Sequence, residues 1–199
     1  MLLTLLVWAA AAQDRPAGVC NFDGFSADPR LAEVTRATVG YFACGSPKGC
    51  LTAKASAGDP VTIYRVDGAW TCGYLEQRGG ATPAWLKSAD IREIHGDPAP
   101  ALAAWAGNWE NGEGSIRITA NGGKLHLAGD NVWKGATTTH TGDFEGDAVP
   151  NGNHLRFGEG GAGSCTVDLT LFGKAMVAND NEACGGLNVR FRGVWKRGK

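Results

Sequence analysis

Six cysteines, four histidines and one run of alternating acids are the residues through which this 199-residue chain could do chemistry. The cysteines are Cys20, Cys44, Cys50, Cys72, Cys165 and Cys184, and no Cys-x-x-Cys occurs among them. An even set without metal-ribbon spacing reads as three disulfides, and an unpaired nucleophilic thiol is not expected. His126 alternates with Leu125 and Leu127, so it points away from a strand's apolar face. His140 opens the most polar stretch, in which Asp143, Glu145 and Asp147 would share one face of a strand. Three carboxylates could hold a hard cation, but the spacing is not that of an EF-hand, and a solvent-facing strand gives the same pattern. No metal is expected. His95 and His154 stand in no recognisable constellation.

Other catalytic patterns are missing. Ser46, Ser56, Ser88, Ser115 and Ser164 lack a Gly-x-Ser-x-Gly context. The glycine run "GEGGAG" (158–163) lacks the Lys-Ser/Thr that would make it a phosphate loop. Four basic residues and a cysteine crowd "CGGLNVRFRGVWKR" (184–197), but alternation divides the bases between faces. Leu187, Val189, Phe191 and Trp195 are expected to seal a core, with Arg190 and Arg192 opposite, and Lys196 and Arg197 at a fraying end. The sequence predicts a protein that is not an enzyme and needs no cofactor.

These residues must sit on β structure. Thirty glycines, seven tryptophans and short alternating apolar runs point to an all-β chain rich in tight turns, apart from one weak helical pattern at Pro29–Val39. Net charge is −1 with both signs interspersed, which excludes the basic footprint of a nucleic-acid binder. Met1–Ala12 is apolar, too short to span a bilayer and followed by small residues, as in a secretory signal peptide, although no Lys or Arg precedes the apolar run. Export to the periplasm or beyond agrees with the cysteine count. The Pro/Ala-rich stretch "HGDPAPALA" separates two modules, at 20–94 and 102–199, through a linker at 95–101.

In the first module, Val61, Ile63 and Tyr64 form a strand, Asp67-Gly68 a tight turn, and Trp70, Cys72 and Tyr74 alternate on the next strand. A Gly/Thr/Pro loop, "AWL" (84–86) and "IREI" (91–94) complete the rhythm. Over 51–94 this resembles the bacterial SH3-like domain, with Ala84 where that family usually has glycine. The resemblance implies a small barrel that binds cell-wall peptides or a partner's short segment, in a groove to which Tyr64, Trp70, Tyr74 and Trp85 correspond. Cys20, Cys44, Cys50 and Cys72 allow three pairings, with Cys44 or Cys50 favoured as the partner of Cys72.

In the second module, Ile116 and Ile118 alternate before Asn121-Gly122-Gly123, and Leu125 and Leu127 alternate after it, which makes a hairpin. Val167, Leu169 and Leu171 share one face, and a turn at Phe172-Gly173-Lys174 returns the chain so that Cys165 and Cys184 can pair. About eight such one-sided segments suit an up-and-down barrel. Gly107-x-Trp109 on the first strand with an arginine late in the chain is similar to the calycin pattern of lipocalins, avidins and secreted bacterial protease inhibitors. That resemblance implies structural roles for Gly107, Trp109 and Arg192, with Arg197 the other candidate arginine.

The expectation is a bacterial two-domain binding protein without catalytic function. Its first module would recruit it to peptidoglycan or to a peptide segment of a partner. Its barrel would carry a small molecule in its interior, or block a target enzyme through rim stretches such as Gly129–Trp133 and Asn179–Glu182. The rival expectation is a cell-wall hydrolase or an accessory to one. Neither nucleic acid nor a stable membrane span is expected.

Overall fold

A computed structural model describes residues 19, 20, 28–42, 51–77, 80–161 and 163–198. The apolar leader, Ser46, Cys44 and Cys50 lie outside the described residues. The architecture is all-β, and among the described residues no helix is long and apolar enough to cross a membrane.

The first module contributes β1 (Arg30–Val34), β2 (Thr38–Phe42), β3 (Leu51–Ala55), β4 (Pro60–Asp67), β5 (Trp70–Gln77), β6 (Gly80–Lys87) and β7 (Ile91–Ile94). They form one antiparallel sheet in the order β3-β2-β6-β5-β4-β1-β7. The weak helical pattern at Pro29–Val39 does not form a helix. Ala32 and Val34 turn into the module's core while Leu31 faces the other way, a period of two that pairing with β4 and β7 enforces on the segment. Asp90 clamps the β1–β2 corner: buried at 4% exposure, it accepts from Thr38 Oγ1 and Arg36 Nε, each at 2.6 Å.

The Cys72 bridge departs from expectation. Its partner is Cys20, which precedes the sheet, and neither Cys44 nor Cys50. Trp70 and Trp85 bury the bridge, and Arg65 holds the backbone oxygen of Val19 at 3.3 Å. The segment ahead of the sheet is therefore stapled to the β4–β5 hairpin rather than hanging from it.

The second module contributes β8 (Gly107–Glu110), β9 (Gly114–Asn121), β10 (Lys124–Lys134), β11 (Thr139–Ala148), β12 (His154–Phe157), β13 (Val167–Phe172), β14 (Ala175–Asp180) and β15 (Gly193–Arg197). The order β11-β10-β9-β8-β15-β14-β13-β12 is an up-and-down meander whose first and last strands pair. The ends of this ladder are β11 and β12, and Phe157 spans the seam between them, its ring centroid 4.8 Å from that of Phe144. The hairpin at Gly122-Gly123 has φ of +56° and +85°, the left-handed pair that a two-residue turn requires. The inward set predicted for β9, β10 and β13 is the observed one, and the disulfide Cys165–Cys184 forms.

A four-residue helix, α1 (Leu102–Trp105), plugs one end of the barrel. Trp109 Nε1 donates to the Trp105 carbonyl at 2.9 Å. Arg197 lies over the Trp109 ring, 4.4 Å from its centroid, and its guanidinium donates to the carbonyls of Ala104 and Ala106. Gly107 makes this possible. It has φ +141°, and a Cβ there would sit 2.7 Å from Arg197 Nη1. The arginine that packs over Trp109 is thus Arg197 and not Arg192. Register explains the choice, since Arg197 is paired with Trp109 whereas Arg192 precedes β15 and meets Glu182 at 3.7 Å. Arg197 is anchored, not fraying.

The modules share a small apolar core. Leu31 packs with Val177 and Val194, flanked by Ile94, Phe172 and Ala175. The linker is docked as well: a Cβ on Gly96 would lie 2.5 Å from the Leu171 carbonyl oxygen, and one on Gly152 would lie 2.6 Å from that of Pro98.

Arg197→Ala is expected to lower stability by about 2 kcal/mol in urea denaturation, from the lost ring contact and two charge-assisted hydrogen bonds. Arg197→Lys should recover less than half of that loss, because an ammonium cannot fork between two carbonyls while lying flat on an indole. Equal stability of the alanine variant and the parent would remove the closing role given to this residue.

Candidate functional site

The four aromatics of the predicted groove do not line one surface. Trp70 and Trp85 are 4% and 0% exposed and belong to the core around Cys20–Cys72. Cations cover them, with Arg65 4.8 Å from the Trp85 centroid and Lys87 6.0 Å from that of Trp70. Tyr64 is exposed, beside an exposed Val66, on the part of β4 that extends past its pairing with β1. Tyr74 is half-buried and opens onto the cleft between the modules. With the two tryptophans in the core, Tyr64 and Tyr74 are the more accessible of these four aromatics.

That cleft is the first candidate site. Tyr74, Glu76 and Ala81 form one wall, Glu113 and Arg192 the other, and Gly193 the floor, in a space of about 490 Å³ with a smaller continuation toward Asn188 and Arg190. Gly193 has φ +124°, and the Glu76 carboxyl packs 3.4 Å from where its Cβ would be. Burial pushes the Glu76 pKa up to about 7, the charge of Glu113 adds to this, and the Val194 N–H and Lys196 oppose it. Glu76 Oε1 is buried without a hydrogen-bond partner. Alternation puts this residue on the β5 face of Trp70, Cys72 and Tyr74, but nothing in the sequence marks it as desolvated, since the Gly193 backbone that packs against its carboxyl comes from the other module. Asp180 is a second such carboxyl. Burial raises its pKa against the backbone N–H groups of Phe191 and Glu182 and the charges of Arg190 and Arg192. Neither of its oxygens makes a hydrogen bond of normal geometry.

The second candidate is the long connection from Asn181 to Arg192 that crosses the barrel's other end. The sequence reading extends the last strand back through this stretch and buries Leu187. Instead β15 begins at Gly193, and Leu187 is 71% exposed. Val189 and Phe191 are buried as expected. The reason is local: Val189 N–H closes a turn onto the Gly186 carbonyl at 3.1 Å, and Asn188 takes φ +68°, so Leu187 occupies the outer corner. Cys165–Cys184, a bridge between Gly142 and Gly185, and His140 Nδ1 at 2.6 Å from the Leu187 oxygen hold the turn in place. Of the two rim stretches expected to make contacts, Gly129–Trp133 is instead part of β10, with Gly129 and Asn131 buried. Asn179–Glu182 ends β14 and enters this connection. Arg192 and Arg190 both reach Glu182, at 3.7 and 3.1 Å.

The polar strand face is self-neutralised. His126 does point outward, and its ring nitrogens meet Asp147 at 2.8 Å and Glu145 at 3.2 Å, which raises its pKa. Asp143 shares the outer face of β11 with these two acids, and among the described residues no three His, Cys, Asp or Glu side chains are placed to hold a metal ion. His154 meets Thr170 Oγ1 at 3.1 Å.

Glu76 generates a pH prediction. Folded, it titrates at about 7, against 4.5 without the fold, so the folded state holds more protons between those values and stability falls as pH rises through that window. The effect is about 3 kcal/mol at most. Asp180 and His126 act in the same direction, whereas Asp90 and Glu93, held low by Thr38 and Arg30, withdraw stability only at the acid end as they protonate. Denaturation midpoints for the parent should therefore be higher at pH 5 than at pH 8. Glu76→Gln should raise the pH 8 midpoint and flatten the slope. An unchanged slope would mean that Glu76 is not desolvated by the second module.

Compared with known proteins, the chain matches no protein-family model, no curated protein and no solved structure.

Proposed function

We propose that this chain is an exported, non-catalytic binding protein that works through its surface. The observation that carries this reading is the filled barrel. Trp105, Trp109, Phe144, Phe191 and Trp195 occupy its interior with seven aliphatic strand residues from β9, β10 and β13 around them, all 4% exposed or less. A carrier of this size needs an open lumen, whereas a protein that recognises a partner needs a rigid body with loops on its rim. The barrel end carrying the Asn181–Arg192 connection is suited to block a target enzyme. The calycin-like outline, similar to that of secreted protease inhibitors, supports the same assignment.

The first module, read as SH3-like, would supply recruitment to peptidoglycan or to a peptide segment of a partner. Tyr64 and Tyr74 are accessible aromatics on it. Two disulfides are compatible with an oxidising compartment and with export. One observation favours a hydrolase instead: Glu76, its pKa raised by burial, lines one cleft with Glu113, and glycoside cleavage uses two carboxyl groups, one of them an acid with a raised pKa.

Incubation with purified sacculi separates these roles. The proposed function predicts retention on the sediment without release of soluble fragments, and weaker retention for Tyr64→Ala with Tyr74→Ala. Fragment release that disappears in Glu76→Gln would establish the hydrolase. Native mass spectrometry of the purified protein should give the polypeptide mass alone. A bound small molecule would return the barrel to the carrier class.

A further inference from the structure

The seam between the modules is sealed at Leu31, Val177 and Val194, but at its margin Ile94, Phe172 and Ala175 stay half-buried. They line a groove of about 610 Å³, the size of a small-molecule site, that lies outside the filled lumen. Each module supplies one wall. Leu31 and Ile94, cross-strand partners on β1 and β7, form the first, and Phe172, Ala175 and Val194 the second. The charges at the rim are unbalanced. Glu33, on the first module, is already paired with Arg92. The second module presents Lys174, in the turn between β13 and β14, and Lys196, in register with Ala175. The Arg197 N–H donates to the Lys174 carbonyl at 3.3 Å, which fixes that turn against the last strand. Both lysines are exposed, and among the described residues neither makes an ion pair. The Arg197 guanidinium is committed to Trp109 and two carbonyls. The groove therefore combines apolar walls with two unpaired ammonium groups at one lip.

We propose that this groove binds a medium-chain fatty acid, its hydrocarbon chain along the seam and its carboxylate at Lys174 and Lys196. Ile94, Phe172 and Ala175 lose their remaining water contact when a hydrocarbon covers them, and the two lysines select an anionic head. Lys196 is partly offset at longer range by Glu76 and by Glu110, its register partner on β8, so the lip matches a singly charged head better than a doubly charged one. A space walled by two modules accepts one chain and not a bilayer surface. The inference is independent of the enzyme-blocking reading, because it concerns the seam and neither the rim nor the lumen.

The test is calorimetric titration of the full chain with octanoate, decanoate, 1-octanol and octyltrimethylammonium, all below their micelle concentrations. The groove is open along one side and exchanges its occupant during purification, so the ligand is supplied. Octanoate should bind about tenfold more tightly than 1-octanol, and octyltrimethylammonium should not bind. Decanoate should bind more tightly than octanoate, by up to about fourfold per added methylene, the factor for full burial. Lys174→Gln with Lys196→Gln should weaken octanoate about tenfold, as two exposed ion pairs would, and leave 1-octanol unchanged. The thermal midpoint of this variant should stay close to the parent's, since both side chains are exposed. Ala175→Trp, which fills the groove, should abolish binding of both octanoate and 1-octanol; should that variant fail to fold, the lysine variant alone decides. No heat of binding with decanoate would overturn the proposal. So would equal affinity for octanoate and 1-octanol, or octanoate affinity unchanged in the lysine variant.

Discussion

Arg197 lies flat on Trp109 with its guanidinium shared between the carbonyls of Ala104 and Ala106, over a glycine that has no Cβ to obstruct it. This contact joins the last strand, the first strand and the helix that plugs the barrel. One cation from the end of the second module thus holds Ala104, Ala106 and Trp109 at its start. The pairing of β8 with β15 is short, at Trp109 with Arg197 and Glu110 with Lys196, so closure depends on side chains as much as on the ladder. With that end shut, Trp105 and Trp109 fill the lumen, and the barrel becomes a solid body rather than a vessel.

A solid barrel has consequences at its outer face and at its far end. The outer face of β14 and β15 presents Val177 and Val194, which bury Leu31 of the first module. The same docking lays Glu76 against Gly193 and takes its carboxyl out of water. The far end is crossed by a stapled loop that displays Leu187. The acid between the modules and the apolar corner on the rim are therefore both products of how β15 is positioned, one along its outer edge and one just before its first residue.

Much of the fold is legible in the residues. Alternation at Ile116/Ile118, Leu125/Leu127 and Val167/Leu169/Leu171 specifies which face is buried, because side chains on a strand have a period of two whatever the partner. Gly122-Gly123 and Asp67-Gly68 locate turns through the backbone conformations that glycine permits. The Cys165–Cys184 pair follows from a short meander whose return is set by one turn. The candidate sites are far less legible. Alternation continued through 187–191 suggests a strand, but the two glycines and Asn188 convert it to a turn, and only contact with His140 and Asn131 from β10 and β11 stabilises that choice. Similarly, Trp70 and Trp85 fit a surface groove or a core equally well until Cys20 arrives from outside the sheet to be buried by them.

By itself the sequence determined the all-β class, the turns, the faces of the strands in the barrel and the late disulfide, since these depend on near neighbours and on the pleat. Tertiary structure alone decided the rest: Arg197 over Arg192 as the closing arginine, Cys20 as the partner of Cys72, Glu76 as a buried acid and Leu187 as an exposed corner. The physical reason is the same in each case. Register between strands far apart in the chain, and the docking of one module on another, set which groups lose water, and a pattern read along one strand contains neither.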